Sequence, residues 1–151
     1  MVKRDLNRSI AAVSLSLAFM SCIGNGDVRA EDLIVSVSGV ESTRGEIGCA
    51  VFGTPNGFPM DTEGATIQRY PATPEGVECH FKDLAPGSYA VAVAHDLNGN
   101  RRTDTNFIGS PTEAWGVSNN VRPTLRAPTF QEAAFQLAKG QALRLAVKVA
   151  R

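Results

Sequence analysis

Ser88-Tyr89-Ala90-Val91-Ala92-Val93-Ala94-His95 alternates large and small apolar side chains along its length. A period of two marks a strand with two distinct faces. Tyr89, Val91 and Val93 share one face, and Ala90, Ala92 and Ala94 share the other. Valine at every second position stiffens the chain toward the extended backbone. The small face predicts close packing against a neighbouring element rather than exposure. The turn before the strand, Lys82 to Gly87, has Pro86 and Gly87 in the order that a type II turn uses.

The same alternation recurs on either side. Leu33 to Gly39 places Leu33, Val35 and Val37 on one face. Glu46 to Phe52 is a second strand, ended by the Gly/Pro/Asn cluster at residues 53–57. Asp61 is placed to cap a helical turn through Ala65. Ile67 to Tyr70 resumes a short strand before Pro71 and Pro74, and Val77 to Phe81 is another. Further on, Thr129 and Glu132 have the spacing of a capping box at the start of a helical turn over Thr129 to Ala134. Ala134 to Ala138 and Leu143 to Val149 follow as strands. In the last, Leu143, Leu145, Val147 and Val149 point inward, with Arg144 and Lys148 outward. About seven short strands joined by turn signals predict an all-β fold. The expected architecture is a single antiparallel β-sandwich, Ig-like or transthyretin-like, with a long ordered loop region after His95.

Residues 1–30 read as a secretory signal peptide rather than part of that domain. Lys3, Arg4 and Arg8 precede an uncharged apolar stretch from Ile10 to Met20. Val28-Arg29-Ala30 then supplies small residues for a cut after Ala30. The apolar stretch is shorter than the roughly 20 residues a membrane helix needs. No transmembrane span is therefore expected in the mature form. Lipidation at Cys22 is the competing route, but Phe19 and Met20 suit it poorly. The mature domain is residues 31–151, in the periplasm or secreted. Residues 1–30 hold four of the 15 basic and two of the 15 acidic residues, leaving 11 and 13, a net charge of −2. That balance excludes a nucleic-acid footprint.

Export also accounts for the cysteines. Cys49 and Cys79 both lie in predicted strands and are expected to form a disulfide in an oxidising compartment. Two thiols do not complete a tetrahedral zinc site.

Chemistry-bearing side chains gather after His95. Asp96, Asn98 and Asn100 alternate, and Asp104 follows. Oxygen ligands at such spacing suit a hard cation, so calcium is the one cofactor the pattern admits. Its ligands would be Asp96, Asn98, Asn100, the main-chain carbonyl of Arg102, and Asp104. Arg101 occupies the position where a tight turn wants glycine, and Phe107 the position of the closing carboxylate. Glu113 is the candidate to close the site from a distance. The competing reading is a loop of Asx turns that satisfies its own backbone. His95, Asn106, Glu113, Trp115, Ser118, Asn119 and Asn120 form a candidate binding surface for a protein or glycan partner. No nucleophile motif, phosphate-cradling loop or zinc spacing accompanies them.

His95-Asp96, Asn98-Gly99-Asn100, Asp104, Asn106-Phe107, Gly109, Pro111, Glu113, Gly116 and Ser118-Asn119-Asn120 together resemble a domain-of-unknown-function family of secreted bacterial proteins. The segment Asp83 to Tyr89 and the stretch Phe130 to Phe135 fit it too. Members of that family typically carry glycine where Arg101 stands. The pattern is similar to small transthyretin-like and carboxypeptidase-regulatory-like sandwiches. Transthyretin-like hydrolases of the urate pathway end in Tyr-Arg-Gly-Ser, whereas this chain ends Val149-Ala150-Arg151. The resemblance therefore implies a fold and no activity. The expected role is an exported, non-enzymatic binding or structural accessory that works through loops 95–120. The alternative is a small periplasmic hydrolase using His95, Asp96 and Asp104.

Overall fold

The computed structural model describes residues 31–151, so the expected signal peptide and Cys22 lie outside the described residues. Among the described residues, eight strands form two facing sheets. Strands β1 (Glu31–Ser38), β4 (Val77–Leu84) and β8 (Leu143–Lys148) make a three-stranded sheet in the order β4-β1-β8. Strands β2 (Glu46–Phe52), β3 (Thr66–Pro71), β5 (Gly87–Asp96) and β6 (Trp115–Val117) make the other in the order β3-β2-β5-β6. β7 (Phe135–Leu137) pairs with the start of β5. The all-β sandwich is therefore as expected.

Two features refine it. β1 and β8 pair in parallel, Val35 opposite Leu145, while the other ladders are antiparallel. This one parallel pair stands within the expected antiparallel sandwich, because β8 returns to β1 after a crossover that alternation cannot reveal. The eighth strand is β6, inside the stretch expected to be loop. Three residues are too few to show a period, and its strand character comes from pairing with Ala92 to Ala94.

Alternation decides what is buried. Leu33, Val35 and Val37 of β1 meet Ile47, Cys49 and Val51 of β2 and Val91 and Val93 of β5 in one core. Cys49 and Cys79 join the two sheets through a disulfide, with Cα atoms 6.5 Å apart. Closing a segment with a sequence separation of 30 stabilises the fold by about 3–4 kcal/mol in the chain-entropy account. At the far edge, Trp115 and Ala150 form a bridge between the sheets. Gly116 is needed there because a Cβ would lie 2.5 Å from the Lys148 carbonyl oxygen.

Local signals at the two expected helical turns have different outcomes. Thr129 caps α1 (Phe130–Ala133) in a complete capping box with Glu132. Asp61 caps no helix. Its Oδ1 accepts the Glu63 N–H at 3.0 Å in an Asx turn, and Gly64 follows at φ 81°. That left-handed residue stops a helix from propagating. β4 runs past Phe81 to Leu84 and carries one extra residue opposite β1, with Asp83 at φ 60°. This bulge shifts the turn expected at Lys82 to Gly87 downstream.

Candidate functional site

The five-stranded sheet has two faces with different fates. Its inner face belongs to the core. On its outer face, one end is covered by Phe58 and Phe130, which meet edge to face at 5.9 Å and pack over Ala90 and Val117. Phe52 extends this cover, with its ring centroid 5.2 Å from that of Phe58. The other end is open. Gly48 pairs with Ala94, and Ala50 with Ala92. These four small residues floor a groove of about 470 Å³. The small face was expected to be packed under a neighbour; instead, over half its length, it makes a recess. Larger side chains there would fill it.

Three segments wall the groove. Met60 and Asp61 come from the β2–β3 connection, Trp115 from β6, and Arg101 to Thr103 from the loop after β5. Ile67 and Arg69 stand along β3. Trp115 lies on this outer face, beside Ala94 in the ladder, with the Arg122 guanidinium stacked 4.2 Å from its ring centroid. Arg69 Nε is 3.1 Å from Glu46 Oε1, and Arg101 Nε is 4.0 Å from the same oxygen. That oxygen is buried and takes no well-aligned hydrogen bond from either. Arg102 has no ion-pair partner among the described residues.

The loop after β5 is built by its own side chains. Asp96 accepts the Gly99 and Arg101 N–H groups at 2.7 and 2.6 Å. Asn98 Oδ1 accepts from the Asn100 N–H, and Asn100 Oδ1 from the Arg102 N–H. Both Asn98 and Asn100 donate through Nδ2 to the Asp104 carboxylate, at 2.6 and 2.8 Å. Glu113, 4% exposed, accepts the Leu97 and Asp104 N–H groups. Every side-chain oxygen of these five residues thus already accepts an N–H. The structure brings Asp96, Asn98, Asn100, Asp104 and Glu113 into one loop, where Glu113 ties down backbone N–H groups at Leu97 and Asp104. The arrangement orders the rim of the groove. Among the described residues, no three His, Cys, Asp or Glu side chains are grouped to hold a metal ion.

The other singled-out residues divide. His95 points with Val91 and Val93 into the interior, 2% exposed, and its Nε2 is 2.8 Å from the Arg44 carbonyl oxygen. It makes no hydrogen bond to a carboxylate among the described residues, and both oxygens of the neighbouring Asp96 face the loop. Asn106 closes its own turn by accepting the Ile108 and Ser110 N–H groups. Ser118 is fully buried; its Oγ accepts from the Val91 N–H and donates to the Ala133 carbonyl. Asn119 Nδ2 donates to the Glu132 and Ala134 carbonyls, and Asn120 bonds the β8 backbone at Ala146 and Lys148. These three residues join β5, α1 and β8 through backbone groups. Trp115 alone of the set lines the groove.

Sequence reasoning missed Arg69, Met60, Ile67 and the Gly48–Ala50 floor. The available signal was the alanine stripe of β5, which becomes a groove floor only when β2 lays Gly48 and Ala50 beside it.

The chain belongs to the DUF2141 family, described as uncharacterized proteins conserved in bacteria, whose model matches residues 35–144. No curated protein and no solved structure gives a significant match.

Proposed function

We propose that this DUF2141 member is an exported, non-enzymatic binding module that seats a ligand in the groove on the outer face of its five-stranded sheet. One observation carries the reading. A sheet face that could be covered end to end is covered at one end only. The open end is floored by small residues and walled by ordered loops. Its volume of about 470 Å³ lies in the roughly 300–1,000 Å³ range of small-molecule sites. Export is supported by the signal-like residues 1–30 and by the Cys49–Cys79 bridge, which suits an oxidising compartment. No helix among the described residues is long and apolar enough to cross a membrane. The facing sheets fit the transthyretin-like likeness, which brings no activity with it.

The hydrolase alternative has less support. It needs His95 open to solvent and paired with a carboxylate, and the geometry gives it neither. Calcium is the weaker part of the binding reading, because a cation would have to displace the N–H donors that Asp96, Asp104 and Glu113 already accept. Melting midpoints in millimolar calcium and in chelator are expected to coincide; a rise of several degrees with calcium would restore the metal site.

The groove itself is tested by thermal shift against a library of small carboxylates, sugars and short peptides. Gly48→Leu should project into the groove, since its backbone leaves room for a Cβ, which meets only the Ala94 carbonyl oxygen, at 4.0 Å. Compounds that raise the wild-type midpoint are expected to leave Gly48→Leu unmoved. Equal shifts in both would place binding elsewhere.

A further inference from the structure

The groove is apolar along its floor and carries arginines along its rim. Gly48, Ala50, Ala92 and Ala94 present methyl and backbone surface, and Trp115 adds a flat aromatic wall. Shallow recesses with such floors accept flat bodies, because no side chain projects between the strands. The rim sets Arg69, Arg101 and Arg102 against Asp61, Asp96 and Glu46, so its formal charges balance, but its carboxylate oxygens are largely occupied while guanidinium donors are left over. Asp96 has both oxygens engaged by loop N–H groups, and Asp61 Oδ1 is held by Glu63. Glu46 sits against Arg69 at 3.1 Å, with Arg101 further off at 4.0 Å. Arg101 is 70% exposed at its side chain, and Arg102 has no ion-pair partner among the described residues. Two adjacent guanidiniums are thus left facing the groove mouth in a chain whose residues 31–151 carry a net charge of −2. Guanidinium groups recognise oxyanions through paired N–H donors.

We infer that the ligand is a small, flat organic anion, its apolar body on the alanine floor beside Trp115 and its oxyanion at Arg101 and Arg102. This inference rests on the binding reading above and adds the chemical class of the ligand.

Two fluorescent probes that differ by one sulfonate group test it: anilinonaphthalene sulfonate and its neutral parent phenylnaphthylamine. Each is titrated into wild type, the double variant Arg101→Gln/Arg102→Gln, and Gly48→Leu. Ala92→Phe fills the groove from the neighbouring strand should Gly48→Leu not fold. Wild type is expected to bind the sulfonate more tightly than the neutral probe. The double variant should lose about tenfold in sulfonate affinity, as befits a charge-assisted pair, and keep its affinity for the neutral probe. The groove-filling variants should lose both. Unchanged sulfonate affinity in the double variant, with both probes lost on filling, would overturn the anion class and leave the groove standing. Unchanged binding in the filled variants would overturn the groove and the inference with it. A wild type that binds neither probe would overturn the inference as well.

Discussion

Arg101 holds φ 63°, in the left-handed region that glycine enters freely. It does so because Asp96 Oδ2 accepts its N–H at 2.6 Å and pins the turn. A non-glycine residue there costs about 1–2 kcal/mol. Glycine would recover that, less its larger unfolded-state entropy of roughly 0.5–1 kcal/mol. Arg101→Gly is therefore expected to stabilise the protein by about 0.5–1 kcal/mol in denaturant melts, while Arg101→Ala gains nothing. Equal effects would mean that the guanidinium, not the backbone, sets the outcome. Ser118 shows the opposite case. Its hydroxyl is the acceptor for the buried Val91 N–H at 2.9 Å. Ser118→Ala should cost about 1–3 kcal/mol, the penalty for an unsatisfied buried donor. At this scale the sequence told residue chemistry but not direction. Asp96 was legible as a loop organiser, because Asx turns close over two or three residues. Ser118 was not, because its partners lie 27 and 15 residues away.

Among the elements, α1 was fully legible and β6 was not. The capping box is written in four consecutive residues, so Thr129 and Glu132 announce it. β6 is a strand only because β5 and Ala150 lie beside it. α1 also carries a pH signature. Arg126 holds the Glu132 carboxylate through both oxygens, at 2.6 and 2.8 Å, and Thr129 adds its backbone and hydroxyl donors. Together they hold its pKa well below the ordinary carboxylate value of 4.5. A folded-state pKa below the unfolded one adds stability that is full above that ordinary value. The contribution fades as pH falls toward the depressed folded value. Amide protection factors over residues 126–134, corrected for the intrinsic pH dependence of exchange, should therefore fall on acidification below about pH 4.5, and Glu132→Gln should remove that dependence. The same acid response in Glu132→Gln would assign it to another carboxylate, such as Glu78 beside Arg144.

At the scale of the described domain, two sheets are held face to face by alternating apolar residues and the Cys49–Cys79 bridge. Reduction of Cys49–Cys79, or the double Cys→Ala variant, should lower stability by about 3–4 kcal/mol without changing the strand content. A loss below about 1 kcal/mol would show that the reduced chain keeps its ends together by other means. The sandwich was legible because each long strand alternates cleanly. The parallel β1–β8 pair and the groove were not, since both depend on which strand lies beside which. The alanines of β5 looked like packing surface and became a recess once Gly48 and Ala50 were laid next to them. Whether that recess is the working surface is answered most directly by amide NMR during titration with anilinonaphthalene sulfonate. Chemical-shift changes are predicted at Gly48 to Ala50, Ala92 to Asp96 and Arg101 to Thr103, with the three-stranded sheet unmoved. Changes confined to Pro123 to Pro128 or to β8, or none at all, would contradict the account.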